Sequence, residues 1–182
     1  MFKRIIATLL LALILNACAL SENGPYQSSN NSDEAQQGVP AICLAIPKDD
    51  LLFIMGSSYR SMPVDLISEG ADGCKYVATE ERNGMFKNIN FIVRNTNSPE
   101  QAESEYYRAV NTWQNSRLEN REYMDIEDVG SQAFFAYSEK TPQFITYQDN
   151  TLVILTFGNY HLGKDLILAY SKKITTYLLN WE

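Results

Sequence analysis

The clearest element in the pattern of polar and apolar residues is an amphipathic helix in the middle of the chain. Ser98 is suited to cap a helix N-terminus, Pro99 fits a first turn, and Gln101 stands three positions after the cap. The apolar positions that follow recur at helical spacing: Ala102, Tyr106, Ala109, Val110 and Trp113. The pattern predicts a helix over residues 98–113 with one face turned to a core.

Two further helices are indicated, one before and one after this segment. Residues 46–56 place Pro47 near the start and Gly56 at the end of a mainly apolar run, which is typical of a short helix. Residues 161–179 carry an apolar stripe at helical spacing, and Lys164, Lys172 and Lys173 lie off that stripe. We therefore expect a short helix early in the domain and a long one at its end.

The remaining apolar runs predict six strands, over residues 74–80, 88–94, 123–128, 133–138, 143–148 and 151–157. Turn residues at 82–84 and 149–150 separate neighbouring runs. Residues 56–61 are polar and predict a solvated loop. The run 151–157 is apolar on both faces, which predicts a central strand covered on both sides. The alternative is that one of its faces lines a pocket.

The order of these elements predicts the fold class. Short helix, strands, helix, strands and helix is an α+β order, with a mostly antiparallel sheet packed by two longer helices and one short helix. The 182-residue length suits one such domain.

The N-terminus has the proportions of a secretory signal. Lys3 and Arg4 precede an apolar run over residues 5–15, which is about half of the roughly 20 residues needed to span a bilayer. Residues 15–18 then read Leu-Asn-Ala-Cys, which resembles the lipobox of bacterial lipoproteins. The resemblance implies that the Cys18 thiol carries diacylglycerol, that the chain is cut before it, and that the new amine is acylated.

Several acyl chains on one residue give stable membrane anchoring, whereas a single chain binds marginally. By resemblance to enterobacterial sorting, Ala19 in place of Asp implies the outer membrane. An ordinary signal peptide with an unrelated cysteine is the alternative. Residues 19–38 hold almost no large apolar side chains and cannot offset their ordering entropy. We therefore expect a signal peptide at residues 1–17, the lipidated Cys18 with a flexible tether at 18–39, and one α+β domain at 40–182.

Two cysteines remain once Cys18 is assigned to lipid. An exported compartment is oxidising, so Cys43 and Cys74 predict one disulfide. A cysteine nucleophile or metal site is the alternative, and it would need histidine partners, of which the chain has only His161.

Charge and composition exclude several classes of function. Fifteen Lys and Arg against 22 Asp and Glu give a formal charge of −7, which disfavours a protein that binds nucleic acid by neutralising phosphates. Removing residues 1–17 takes away two basic residues and no acidic ones, so the mature charge is more negative still. A single histidine excludes metal sites built from several histidines. We expect no metal and no cofactor.

Candidate catalytic groups are sparse. His161 could act as a base with Asp165 one helical turn on, but a surface or capping histidine is the favoured interpretation. Asp125 and Glu127 would share one face of a strand and could begin a calcium site, although a solvated acidic edge is favoured. No Gly-x-Ser-x-Gly motif is present. The sequence predicts a protein that is not an enzyme.

Aromatic side chains offer a candidate binding face. Phe135 and Tyr137 share one face of a predicted strand, and Ile145 and Tyr147 share one face of its neighbour. Such a face could line a hydrophobic pocket or a partner surface. The favoured alternative is a core with ordinary cross-strand pairs.

The layout of the mature domain resembles small actinobacterial lipoproteins that carry a domain of unknown function. The features that carry the resemblance are Cys43, the short helix ending at Gly56, Cys74-Lys75-Tyr76, Val129-Gly130 before Ala133, and the turn at Asp149-Asn150. The resemblance implies an α+β sandwich at a cell envelope and supplies no catalytic residues. The leading expectation is a membrane-anchored accessory or binding module for a protein partner. The alternative is a carrier or sensor of a small apolar ligand or lipid.

Overall fold

The structure is a computed structural model that describes residues 39–64, 70–82, 84–115, 122–160 and 162–181. The predicted signal peptide, the lipobox with Cys18, and the tether up to residue 38 lie outside the described residues. His161 also lies outside them.

Seven strands and three α-helices make up the described domain. The strands are β1 Tyr59–Pro63, β2 Ala71–Arg82, β3 Met85–Asn95, β4 Glu122–Ile126, β5 Gln132–Tyr137, β6 Gln143–Gln148 and β7 Thr151–Gly158. The helices are α1 Lys48–Met55, α2 Pro99–Gln114 and α3 Lys164–Leu179, preceded by a 3-10 helix at Ala41–Leu44. All strand pairs are antiparallel, in the order β1-β2-β3-β7-β6-β5-β4. The α+β class with an antiparallel sheet is confirmed, and the sheet is its larger part.

The two sheet faces are covered by different helices. On the first face, α1, α3 and the 3-10 helix pack on a core that includes Tyr76, Phe91 and Leu155. On the second face, α2 packs on a smaller core that includes Phe134, Ile145 and Leu152. Strand β7 is the fourth of the seven and contributes to both cores. Its predicted central position is confirmed.

The helix boundaries follow the sequence signals. The Ser98 hydroxyl accepts the backbone N–H of Gln101 at 3.3 Å, while the Gln101 side chain accepts the backbone N–H of Asn97 at 3.1 Å. Gly56 ends α1 in the left-handed region, with φ 69°, and its N–H donates to the Leu52 carbonyl.

The disulfide between Cys43 and Cys74 is present and joins the 3-10 helix to β2. The Tyr76 hydroxyl donates to the Cys43 carbonyl at 3.1 Å beside it. A bridge with a sequence separation of 31 stabilises the fold by about 3–4 kcal/mol in the chain-entropy model.

The loop predicted over residues 56–61 is wrong in its second half. Residues from Tyr59 onward form β1, which pairs with β2 at the edge of the sheet. An edge strand needs little apolar sequence, because its ladder to the neighbouring strand supplies most of its hydrogen bonds. The last helix also begins later than predicted, at Lys164, and β4 ends at Ile126.

We expect Gly130→Ala to destabilise the domain by about 2–3 kcal/mol. Gly130 has φ +62°, and an added Cβ would lie 2.5 Å from both Thr146 Oγ1 and the Tyr147 carbonyl oxygen. Gly163→Ala is the matched control, since a Cβ there meets nothing within 4 Å. Urea denaturation followed by circular dichroism measures both variants. Equal unfolding midpoints for the two would contradict the prediction.

Candidate functional site

The four residues of the predicted aromatic face do not share one face. Phe135 pairs with Phe144, and Ile145 pairs with Phe134. Directly paired residues point to the same side of an antiparallel sheet. Phe135 and Tyr137 therefore lie on the first face, whereas Ile145 and Tyr147 lie on the second. A single binding face made of all four is wrong.

Both pairs contribute to packed cores. Phe135 and Ile145 are 0 % exposed, Tyr147 is 7 % exposed, and Tyr137 is partly buried against the first core. The structure therefore agrees with the interpretation of these residues as core with cross-strand pairs.

An open region lies elsewhere, on the second face of the sheet. Among the described helices, α2 packs on this face, and its main strand contacts are with β6 and β7. Strands β1 to β3 continue the same face beyond α2. We call their side chains there the half-face: Arg60, Met62, Ala71, Gly73, Lys75, Val77, Asn88, Asn90, Ile92 and Arg94.

The half-face is positively charged. It holds Arg60, Lys75 and Arg94, of which Arg94 is ion-paired to Glu105 of α2, and the carboxylate of Glu81 lies on the same side of β2 beyond the register shift. Arg60 is exposed, and the other two side chains are half-buried. The chain as a whole carries a formal charge of −7, so this local excess of cations contrasts with the whole protein. Such a region attracts acidic groups.

Three buried polar atoms without a hydrogen-bond partner in the described structure also lie on the second face. They are Asn90 Oδ1, Arg94 Nε and Gln143 Oε1. Asn90 and Gln143 are neighbours of Thr156 on opposite sides of β7. An unpaired buried polar group costs about 1–3 kcal/mol, so each would gain from an external partner.

A cleft of about 290 Å³ borders the half-face, between α2 and strands β3 and β7. Arg94 of β3 forms an ion pair with Glu105 of α2, with 3.1 Å between Nη1 and Oε2. The other Glu105 oxygen accepts from Gln101 Nε2, also at 3.1 Å. Arg108 lines the cleft one turn further along α2. The cleft thus holds two guanidinium groups and one paired carboxylate.

The sequence pointed to none of these cleft residues as a site. The available signal was Arg94, the one charged residue of the predicted strand 88–94 and its last position. The role of Arg94 depends on Glu105, which is eleven positions further along the chain and contacts Arg94 because α2 packs on the sheet.

The other predicted candidates stay apart from this region. Asp125 is exposed near the end of β4, and Glu127 lies just beyond that end. In the part of the chain that the structure describes, no group of three His, Cys, Asp or Glu could hold a metal ion. Within the same ranges, no helix is long and apolar enough to cross a membrane.

Comparisons with known proteins give two distant structural likenesses. No family model and no curated protein matches the chain. The extracellular domain of PknH from Mycobacterium tuberculosis is 11% identical, with a TM-score of 0.48, over 74% of this chain and 90% of that one. A GTP-binding regulator from Thermotoga maritima is 16% identical, with a TM-score of 0.35, over 75% and 91%.

We expect α2 to loosen from the sheet at alkaline pH through Tyr106. Burial, and then the nearby Asp125 carboxylate, raise the pKa of Tyr106 to about 12. The unfolded chain loses this proton near pH 10, so Tyr106 favours the folded state below about pH 10 and loses that contribution as the pH rises to about 12.

Tyr106→Phe should therefore lose less stability than the wild type between neutral pH and about pH 11. Urea midpoints at the two pH values measure the difference. Tyr107→Phe is the control, because this neighbouring side chain is 44 % exposed. An equal fall in the urea midpoint between neutral pH and about pH 11 for Tyr106→Phe and the wild type would count against the interpretation.

Proposed function

We propose that the protein is a lipid-anchored, non-catalytic binding module of the cell envelope that docks an acidic protein partner on the half-face. The observation that carries the proposal is the pair of cations Arg60 and Lys75, neither with an ion pair among the described residues, on a sheet surface beyond the described helices. Complementary charge brings a partner to such a surface quickly and fixes its orientation.

The chemistry of the half-face suits a protein partner. Met62, Val77 and Ile92 place apolar side chains among the cations, and Asn88 and Asn90 add amide groups. Protein interfaces mix apolar contact with hydrogen bonds, and they are enriched in Met and Arg.

The start of the described chain lies away from the half-face. The 3-10 helix places Ile42 and Cys43 in the core of the first face. The described chain therefore enters the domain on the side opposite the half-face. A tether of about 20 residues typically spans roughly 25 Å, so an anchor at Cys18 would keep the domain near a membrane.

Carriage of an apolar ligand is the less supported function. The aromatic residues that suggested an apolar pocket are packed in the two cores. The cleft beside α2 is instead lined in part by charged side chains.

Cys18→Ser should release the protein from membranes, because it removes the thiol that would carry the lipid. We expect the variant in the soluble fraction and the wild type in the membrane fraction. Detergent-phase separation measures the difference, because a lipidated protein enters the detergent phase. Ser21→Ala, which changes a nearby residue and leaves Cys18 in place, is the control. Unchanged membrane fractionation of Cys18→Ser would refute the anchor.

Charge reversal on the half-face should strongly reduce the amount of partner protein that is recovered. We expect Arg60→Glu with Lys75→Glu to reduce recovery of a cross-linked partner from detergent-solubilised membranes by about tenfold or more, a loss of about 1.4 kcal/mol. Lys48→Glu with Lys140→Glu makes the same change in net charge, at exposed positions outside the half-face.

The control pair should recover the partner as the wild type does, and circular dichroism should show that both double variants fold. Equal recovery by the two double variants, or no specific partner in the wild type, would overturn the proposed function.

A further inference from the structure

The cleft between α2 and the sheet shares Ile92 and Arg94 with the edge of the half-face, and α2 supplies its other wall. Its charged groups are Arg94, Glu105 and Arg108, and its apolar wall includes Ile92, Ala109 and Ile154. A volume of about 290 Å³ is just below the range of small-molecule sites, about 300–1,000 Å³, and suits a small ligand.

The charges in the cleft do not cancel. Glu105 is buried, and its charge is balanced by Arg94 at 3.1 Å. Arg108 is exposed and has no ion pair among the described residues. The cleft therefore keeps one positive charge in excess, which a singly charged anion would neutralise.

The two guanidinium groups retain donors for a ligand. A guanidinium carries five N–H donors, and Arg94 uses Nη1 for Glu105, while its unpaired Nε is buried. Its side chain keeps 29% of its surface exposed. Arginine donors in this arrangement suit the two oxygens of a carboxylate.

The opposite wall suits a short hydrocarbon group. Ile92 and Ile154 are directly paired across β3 and β7, and both are half-buried, so they keep apolar surface open to the cleft. Burial of such surface contributes about 25 cal/mol per Å². A ligand that filled the cleft would place its charge at α2 and its apolar group against the isoleucines.

We propose that this cleft binds a small monocarboxylate that carries a short apolar group. Its carboxylate lies against Arg108 and the free donors of Arg94, and its hydrocarbon group lies on Ile92 and Ile154. A phosphate dianion fits less well, because the cleft offers one excess positive charge and a wall without further donors. The proposal does not depend on the protein partner.

Hexanoate, hexanamide and acetate are the probes, titrated separately into the full-length protein in detergent. Isotope-edited NMR follows the Arg94 Nε–H signal and the Ile92 and Ile154 methyl signals. We expect saturable shifts of all three with hexanoate. Hexanamide, which lacks the charge, and acetate, which lacks the hydrocarbon group, should each bind at least about tenfold more weakly.

Arg108→Gln should weaken hexanoate binding at least about fivefold, while Lys140→Gln, which removes a cation elsewhere, should leave it unchanged. Arg94→Gln alone would strand buried Glu105, so Arg94→Gln with Glu105→Gln removes the pair together and should weaken binding further. Absence of saturable shifts, equal affinity for hexanoate and hexanamide, or no effect of Arg108→Gln would overturn the proposal.

Discussion

Strand β7 must be covered on both faces, and the arrangement of the other elements follows from that requirement. Val153, Leu155 and Phe157 are fully buried on the first face, and Leu152 is buried on the second. A strand with apolar side chains on both sides is stable only between two layers. The antiparallel sheet therefore places β7 at its centre, with α3 on one side and α2 on the other.

The two layers differ in extent, and this difference creates the candidate binding region. A helix with its side chains is about 10 Å wide, whereas seven strands about 4.8 Å apart span roughly 30 Å. The first face is covered by α1, α3 and the 3-10 helix, which the disulfide fastens to β2. The second face has α2 over β5 to β7, so the side chains of β1 to β3 extend beyond it.

Contacts between distant segments hold the first layer together. Asp50 of α1 accepts from Lys173 Nζ and from the Tyr177 hydroxyl of α3, each at 2.6 Å. These hydrogen bonds lower the pKa of the Asp50 carboxyl. They are exposed and add little to stability. They nevertheless fix how α1 lies beside α3 over the sheet.

Local signals allowed much of the fold to be predicted from the sequence. The Ser98 cap, the Gly56 stop and the two-sided apolar run of β7 are each encoded in a few consecutive residues. Strand β1 escaped prediction because an edge strand with mixed polarity has no distinctive pattern. The expected aromatic face failed because the register of β5 on β6 pairs Phe135 with Phe144, and a shift of one residue reverses every side chain.

The candidate site could not be predicted from residues that are close in sequence, for a different reason. Arg94 and Glu105 belong to separate elements, and their contact exists only because α2 crosses the sheet over β6 and β7. The half-face likewise depends on which strands α2 fails to cover. The spacing of nearby residues predicts neither the cleft nor the half-face, because both result from tertiary packing.

The ion pair of Arg94 and Glu105 also bears on why the cleft is charged. It is partly buried, and replacing such a pair by apolar side chains of similar size is often neutral or stabilising, so stability alone does not explain it. Glu105 has a clear physical effect on its partner, because it holds one edge of the Arg94 guanidinium at α2. A guanidinium fixed in this way loses less side-chain entropy when it binds an anion. The pair is therefore best understood as a means of holding Arg94 in place beside Arg108.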